Sequence, residues 1–302
     1  MDLNFFKKTR ILDGGMGQEL LARGMTANGT LWSANALLNE KYHQLLLDTH
    51  LDFIKAGAEV IVTTTFTTRK LRLRDNNVED KYEYLNNKAG EIAQKAKKLY
   101  PKVLIAGGLP PQYLTYEADT RSEDEIMDNF YSQAELLNPY IDFFYFDVLS
   151  SVREFKIVID CIKEFNKPYL IGAHISDGKT LPSGEKISEI INNIQHEKLL
   201  GMILSCISPE NYELNLDEIQ SLKIPFGFKL NAFIKTNPKP NYTRDYKKSK
   251  TGNPNEFLGV RKDLTPKKLA EFAGKFKQAG ATILGGCCET RPSHIKEISK
   301  LI

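Results

Sequence analysis

Residues 142–165, DFFYFDVLSSVREFKIVIDCIKEF, contain two hydrophobic patterns in immediate succession. The first part, residues 142–149, is an apolar run of strand length, with the aromatic and β-branched side chains that strands favour. In residues 151–165 apolar side chains recur every three or four positions, which predicts an amphipathic helix. A strand followed directly by a helix is the repeating unit of α/β proteins with a parallel sheet.

The same pair of patterns recurs along the whole chain. Candidate strands occupy residues 10–13, 59–66, 102–107, 142–149, 168–175, 202–207, 225–231 and 281–285. Candidate helices occupy residues 40–56, 80–100, 122–138, 151–165, 183–196, 211–221, 265–279 and 292–301. Eight strand–helix units in 302 residues predict an α/β fold, a single (β/α)8 barrel of the TIM type that spans residues 1–302 as one domain. A doubly wound sheet is the alternative, but no Gly-x-Gly-x-x-Gly sequence opens a helix after the first strand.

The alternation is interrupted once, by the long loop of residues 235–262 between the seventh strand and its helix. Connections between a strand and the following helix are usually far shorter. In a barrel, every loop that follows a strand lies over the mouth where active sites are built, so this segment is a candidate lid. Its many basic residues are equally consistent with a solvated surface loop.

The composition excludes several classes of function. With 41% apolar and 26% charged residues, the chain can bury a barrel-sized core, and its net charge of +3 is too small to indicate nucleic-acid binding. No apolar run approaches the roughly 20 residues of a transmembrane helix, and the first ten residues lack the apolar centre of a signal peptide. We therefore expect a cytoplasmic protein with reduced thiols and without a nucleic-acid or membrane partner.

Three of the four cysteines stand at the ends of candidate strands. Cys287 and Cys288 follow the eighth strand in the sequence ATILGGCCET, residues 281–290, and Cys206 ends the sixth strand. Reduced thiolates favour zinc, and three protein ligands leave one coordination position open, as in catalytic zinc sites. The alternative is that all three are small buried apolar side chains. Cys161, in the middle of a candidate helix, is expected to be a core residue.

Other candidate site residues also lie at or just beyond the carboxyl ends of strands, where a barrel builds its active site. They are Asp13 and Gly14 after the first strand, Thr65 and Phe66 at the end of the second, Asp147 in the fourth and Asn231 in the seventh. Because strands six and eight flank strand seven in a barrel, the three cysteine sulfurs are expected to converge on one ion. The sequence therefore predicts that a metal site and a substrate site share one mouth.

Five short sequences together carry a family resemblance that runs almost the whole chain. They are LDGGMGQEL at residues 12–20, LWSA at 31–34, AGAEV at 56–60, TTFT at 64–67 and GGCC at 285–288. With the single cysteine after the sixth strand, this combination resembles the homocysteine S-methyltransferases. The resemblance implies a zinc enzyme, built as one (β/α)8 barrel, that moves a methyl group from an onium donor to homocysteine and forms methionine.

The same resemblance implies roles for particular residues. Cys206, Cys287 and Cys288 become the Zn²⁺ ligands and the catalytic centre, and Asp13 and Asp147 hold the ammonium group of homocysteine. The set of residues expected to contact substrates is Asp13, Gly14, Trp32, Thr65, Phe66, Asp147 and Asn231. The partners expected are therefore small molecules, and the protein is expected to be a monomer or a weak homo-oligomer.

The methyl donor is left open among S-methylmethionine, S-adenosylmethionine, betaine and dimethylsulfoniopropionate. Each is a methylated cation, which aromatic faces attract. Trp32 and Phe66 are the aromatic residues expected at the donor side, with Tyr242 and Tyr246 of the long loop as further candidates.

Two residues depart from what is common in the family. The acidic residue of strand four is commonly glutamate, whereas Asp147 stands here, and the residue before the strand-six cysteine is commonly asparagine, whereas Ser205 stands here. Two alternatives therefore stay open: a methyltransferase for another thiol or a selenol, and a barrel without catalysis that has a binding or regulatory role.

Overall fold

Each predicted strand position holds a strand in the computed structural model, which describes residues 1–175, 178–235 and 252–302. In these residues the strands are β1 (Arg10–Ile11), β2 (Val60–Val62), β3 (Leu104–Leu109), β4 (Phe143–Leu149), β5 (Tyr169–Ala173), β6 (Leu199–Ile207), β7 (Phe226–Leu230) and β8 (Ile283–Gly286). They form one sheet in the order β1-β8-β7-β6-β5-β4-β3-β2, and every neighbouring pair is parallel. A parallel bridge between Leu12 and Val60 joins the two ends of the sheet. The predicted (β/α)8 barrel is confirmed.

Helices fill the connections between the strands. Those in the described residues are α1 (Met16–Ala22), α2 (Asn35–Leu38), α3 (His43–Lys55), α4 (Lys70–Arg74), α5 (Tyr82–Leu99), α6 (Glu123–Leu137), α7 (Val152–Ile162), α8 (Ile187–Asn192), α9 (Pro209–Leu214), α10 (Leu216–Ser221), α11 (Pro266–Gln278) and α12 (Pro292–Ser299). Among them, none has both the length and the apolar character needed to cross a lipid bilayer.

Two predicted helices differ from the observed ones. The helix predicted at residues 211–221 is two short helices, because Asn215 lies between them and its side chain donates a hydrogen bond to the carbonyl of Asn211 at 2.7 Å. Such a bond from side chain to backbone competes with helix continuation. The helix predicted at residues 183–196 is shortened to α8, since Gly184 adopts a φ of +101° and Thr180 pairs with Lys186 in a small antiparallel bridge.

The inside of the barrel is filled by apolar side chains at its amino-terminal end. Phe6, which precedes β1, is fully buried there and packs edge-to-face on Phe143 at the start of β4, with ring centroids 5.9 Å apart. The other members of this interior cluster are Leu12, Val60, Ala106, Tyr145, Leu170, Leu200, Ile203 and Ile283. Polar and metal-ligating side chains are thereby left to the opposite, carboxyl-terminal end.

The connection between β1 and β2 is long enough to form its own small core over the barrel. Leu20, Leu31, Leu37 and Leu46 are buried together in it. This layer carries Trp32 to the carboxyl-terminal mouth of the barrel. The sequence patterns did not predict α1 and α2, which build the layer.

Candidate functional site

One cavity occupies the carboxyl-terminal end of the barrel, with an empty volume of about 810 Å³ that includes its opening to solvent. Eight of the residues predicted for the site line it, namely Asp13, Gly14, Trp32, Phe66, Asp147, Cys206, Cys287 and Cys288. Thr65 and Asn231 are not among the residues that line it. The structure therefore brings most of the predicted residues to one place, from strands far apart in the sequence.

The three cysteines converge at this cavity. The sulfurs of Cys206, Cys287 and Cys288 all lie within 4.8 Å of one another. Three sulfurs bound tetrahedrally to one zinc ion at 2.3 Å would be about 3.8 Å apart, so the group needs only a small contraction to bind a metal. Cys206 and Cys288 are buried and Cys287 is half-buried, as expected of thiolates that face a closed site. The donor set therefore fits a divalent metal that prefers sulfur.

The thiols also influence one another's protonation. Hydrogen bonds from Cys287 and Cys288 hold the pKa of the Cys206 thiol well below its usual range. The same contacts with Cys206 raise the pKa of Cys287 and of Cys288. The three thiols therefore titrate as one group, and a bound cation would displace their protons.

Three polar side chains support the sulfurs from outside. The hydroxyl of Tyr116 lies 3.2 Å from the Cys206 sulfur, and Asn231 donates to the carbonyl oxygen of Cys206 at 2.6 Å and toward its sulfur at 3.7 Å. Asn255 donates to the Cys288 sulfur at 3.5 Å. Donors of this kind orient metal ligands and stabilise thiolate charge. Asn231 therefore supports a cysteine and does not line the cavity, while sequence reasoning gave no such role to Tyr116 or Asn255.

The backbone around the cavity is unusually strained. Positive φ angles occur at Trp32 (48°), Tyr116 (67°), Val148 (69°) and Cys206 (53°), all of which line the cavity, and at Glu289 (62°) beside the cysteine pair. Such angles are uncommon outside glycine and are strongly disfavoured for a β-branched residue such as valine. The strand register also shifts within β4 and within β6, at the positions of Val148 and Cys206. These bulges turn the strand ends so that side chains point into the mouth.

Asp13 is already paired within the protein. Its Oδ1 accepts a hydrogen bond from the Lys229 ammonium at 2.9 Å, and its Oδ2 accepts one from the backbone N–H of Val62 at 2.8 Å. Both side chains of the ion pair are buried, at 6% exposed for Lys229 and 3% for Asp13. Burial lowers the pKa of Lys229, but the charges of Asp13, Asp147 and Cys287 outweigh it and raise that pKa above its ordinary value. Lys229 is not among the residues predicted from the sequence, although a charged residue within a buried strand is itself a signal of an internal partner.

Asp147 is in a different state. Its Oδ1 is buried and has no hydrogen-bond partner within residues 1–175, 178–235 and 252–302. Burial raises the pKa of this carboxyl group to about 7, while the positive charge of Lys229 acts in the opposite direction. A buried carboxylate oxygen without a partner is costly unless a ligand supplies one. Asp147, which lines the cavity, therefore has one open carboxylate oxygen.

An aromatic wall stands beside the cysteines. Trp32 and Phe66 meet edge-to-face with ring centroids 6.5 Å apart, and both belong to an apolar cluster that includes Tyr116 and the three cysteines. The indole lies directly on α1, because a Cβ atom at Gly17 would fall 2.1 Å from Trp32 Cε2. Only glycine permits this approach, so Gly17 fixes the position of the tryptophan.

Two further predicted residues stabilise the backbone around the cavity. The hydroxyl of Thr65 is fully buried and donates to the carbonyl of Gly108 at 2.7 Å, so it ties the end of β2 to β3 and does not reach the cavity. Gly14 lies on the cavity wall, and a Cβ there would fall 2.8 Å from the ring of Phe53 and 3.0 Å from the hydroxyl of Thr290. Gly14 thus allows the loop after β1 to pack closely against its neighbours.

The long loop after β7 is described only at its two ends. Pro254 and Asn255, near its far end, line the cavity, which agrees with the predicted position over the mouth. Residues 236–251 lie outside the described residues. The predictions for Tyr242 and Tyr246, and for the centre of a lid, fall in that range.

Comparison with known proteins places this arrangement in a family. A family model described as homocysteine S-methyltransferase matches residues 10–302. The chain is 25% identical over 319 residues to homocysteine S-methyltransferase 1 of Zea mays, with 97% of this chain and 94% of that protein covered. It is 24% identical over 330 residues to a selenocysteine methyltransferase of Astragalus bisulcatus, with 98% and 93% covered.

A solved structure has the same fold. The metallated form of the homocysteine methyltransferase MmuM from Escherichia coli superposes with a TM-score of 0.80 at 20% identity, and 99% of each chain is covered. This similarity concerns the whole barrel, and the match of the family model extends from β1 to the last residue. The chain therefore belongs to the homocysteine S-methyltransferase family.

Proposed function

We propose that this protein is a zinc-dependent S-methyltransferase that transfers a methyl group from an onium donor to the sulfur of homocysteine and forms methionine. The observation that carries the proposal is the convergence of three cysteine sulfurs within 4.8 Å in a cavity that also has an aromatic wall and an open buried carboxylate. In this proposal residues 1–302 form one catalytic domain.

The chemical difficulty of the reaction lies in the acceptor. An ordinary thiol has a pKa near 8.5, and only its thiolate is a competent nucleophile. A zinc ion held by Cys206, Cys287 and Cys288 would bind the acceptor sulfur at its open position and keep it deprotonated at neutral pH. Tyr116 and Asn231 hold Cys206 in place, and Asn255 holds Cys288, by the hydrogen bonds described above. No general base is needed on the chain.

The acceptor's amino group is assigned to Asp147. Its Oδ1 is a buried acceptor atom without a hydrogen-bond partner among the described residues, and Asp147 lines the same cavity as the cysteines. An ammonium group supplies the missing hydrogen bond and the missing positive charge together. Asp13 and Gly14 also line this cavity. Asp13 contributes through its ion pair with Lys229.

The donor is assigned to the space beside Trp32 and Phe66. Their faces attract the positive sulfur or nitrogen that makes the methyl group electrophilic, and the apolar cluster around them excludes water. The sulfur of homocysteine attacks the methyl carbon in line, and the bond from that carbon to the donor atom breaks. The donor then leaves as a neutral sulfide or amine, and the acceptor's thiol proton passes to solvent. With S-methylmethionine as donor, both products are methionine.

The direct experiment is a donor panel. Metal-loaded protein is incubated with homocysteine and, in separate reactions, S-methylmethionine, S-adenosylmethionine, betaine or dimethylsulfoniopropionate, and methionine formation is followed. We expect methionine with at least one donor. Failure with all four, on protein of verified metal content, would contradict the proposed function.

Trp32→Ala should raise the KM for the donor by about 30-fold, because a desolvated cation–π contact is worth about 2 kcal/mol. The KM for homocysteine should change little, since the acceptor is assigned to Asp147 and the metal. Trp32→Phe is the matched control, because it retains an aromatic face and should recover most of the donor affinity. Equal effects of Trp32→Ala on both substrates would place the donor elsewhere.

A second acceptor class has a specific observation in its favour. The relative from Astragalus bisulcatus is named a selenocysteine methyltransferase, and its identity to this chain, 24%, is close to the 25% of the maize homocysteine enzyme. A selenol binds the same thiolate-ligated metal as a thiol does. The donor that supports homocysteine methylation can be tested with selenohomocysteine and selenocysteine, and the ratio of kcat/KM values decides between the classes.

We infer the cellular location of the protein from its thiols. Cysteines that act as metal ligands must stay reduced, so we assign the protein to the cytoplasm. Homocysteine and the onium donor are its partners in this proposal. We expect a monomer or a weak homo-oligomer, which sedimentation at several concentrations would test.

A further inference from the structure

Lys229 is a buried cation on the wall of the cavity in which the acceptor is proposed to bind. It lies in β7 between apolar residues, is 5% exposed, and lines the same cavity as the three cysteines. Its ammonium carries three hydrogens that can be donated. In the described part of the chain, the one hydrogen-bond acceptor of this group is Asp13 Oδ1 at 2.9 Å, and the ring of Tyr145 lies 5.7 Å away. Two donor positions are therefore open.

Asp13 gives this ammonium a fixed direction. The carboxylate is itself held by the backbone N–H of Val62 at 2.8 Å, at the end of β2. The cation thus rests on an anion that is anchored to the barrel wall, and neither side chain is more than 6% exposed. A lysine held this way loses little further side-chain entropy when it binds a ligand.

Asp147 and Lys229 carry opposite charges but do not form a direct ion pair with each other. The two groups are near enough for each charge to shift the other's pKa, yet Asp147 Oδ1 has no hydrogen-bond partner among the described residues. An α-amino acid presents an ammonium and a carboxylate on one carbon atom. Such a zwitterion would satisfy the open oxygen of Asp147 and the open donors of Lys229 at the same time.

We propose that Lys229 determines acceptor specificity by binding the α-carboxylate of the acceptor, with Asp13 as the positioning residue that holds its ammonium. In this proposal Asp13 positions Lys229, and the acceptor's ammonium is assigned to Asp147. The inference rests on the proposed methyl transfer to homocysteine and adds the requirement that the acceptor carries a free carboxylate beside its amino group.

Three thiols distinguish the contributions of the two charges, because each charged group is the same number of bonds from the sulfur in all of them. They are homocysteine, 4-mercaptobutanoate, which lacks the amino group, and 3-mercaptopropylamine, which lacks the carboxylate. Lys229→Met removes the charge and keeps the length of the side chain. It should raise the KM for homocysteine and for 4-mercaptobutanoate by about 10- to 100-fold, as expected when a hydrogen bond to a charged group is lost. The kcat for homocysteine and the kcat/KM for 3-mercaptopropylamine should change less than about threefold.

Two further variants serve as controls for Lys229→Met. Lys97→Met is the matched control, since Lys97 forms an ion pair with Asp142 at 2.6 Å at the opposite end of the barrel, and it should leave all three thiols unaffected. If Lys229→Met does not fold because Asp13 is left with an unpaired charge, the double variant Lys229→Met with Asp13→Asn removes both charges. The double variant should show the same selective loss of the two carboxylate thiols.

The measurement is made in two ways so that it does not depend on turnover. Steady-state kinetics use the donor found in the panel, and calorimetric titration of the three thiols into metal-loaded protein measures binding without a donor. If the wild-type protein forms no methionine with any donor, the proposed function fails, and the titration still tests Lys229. If homocysteine is methylated but the variant weakens all three thiols alike, or none, the role of Lys229 is overturned alone.

Discussion

Replacing Cys287 with alanine should reduce the metal content from about one ion per chain to nearly none and abolish methyl transfer. Two sulfurs that remain within 4.8 Å of each other cannot hold the metal at the affinity that three provide, and without the metal the acceptor thiol stays mostly protonated. Metal content is measured by inductively coupled plasma mass spectrometry and activity by methionine formation. Cys206→Ala and Cys288→Ala should behave in the same way.

Cys161→Ala is the matched control within the same chain. Cys161 is buried in α7, far along the chain from the three ligands, and its sulfur contacts the carbonyl oxygen of Met127 at 3.5 Å. Burial raises the pKa of this thiol to about 12, and Cys161 does not belong to the group of three described cysteines that could hold a metal. The variant should keep metal and activity, apart from a small packing cost. Full metal content in Cys287→Ala would remove the basis of the proposed mechanism.

Asp147→Asn should lower kcat/KM for homocysteine by the equivalent of roughly 2 to 5 kcal/mol while the metal content stays intact. The substitution keeps the shape of the side chain but removes the negative charge that faces the acceptor's ammonium, and the ammonium is then desolvated without a counter-charge. Initial rates at varied homocysteine and saturating donor give the effect, which should appear mainly in KM.

Asp142→Asn makes the same chemical change at the other end of the same strand. Asp142 precedes β4 and pairs with Lys97, so its loss should affect stability slightly and acceptor binding not at all. An unchanged homocysteine dependence in Asp147→Asn would mean that the ammonium binds elsewhere in the cavity.

The barrel and the cysteine cluster could be predicted because they depend on strong local signals. The apolar runs and helical spacings mark each strand and helix, and parallel strands place their carboxyl ends at one mouth. Cys206 and the pair Cys287 and Cys288 each end a strand, so the topology alone brings them together. Asp147 followed from its position in the fourth strand and Trp32 from the family resemblance, and both line the cavity.

The supporting residues could not be predicted because their roles depend on distances between segments far apart in the chain. Asn255 reaches Cys288, and Lys229 reaches Asp13, only once the barrel has closed. Thr65 is the reverse case, since its position at the end of the second strand suggested a contact with substrate, whereas its hydroxyl donates to the carbonyl of Gly108 in β3. The direction of a side chain at a strand end depends on bulges and loop packing, which the periodicity of the sequence does not contain.

The left-handed backbone at Val148 and Cys206 has a consequence for how this enzyme would respond to selection for heat resistance. Each such conformation costs of the order of 1 to 3 kcal/mol, which is a sizeable part of the 5 to 15 kcal/mol by which a typical domain is stable. Substitutions that relax these bends would therefore be among the easiest routes to a higher melting temperature. They would also turn the cysteine and its neighbours away from the mouth of the barrel. Selection for thermal stability alone would therefore preserve the barrel fold and abolish the catalytic activity.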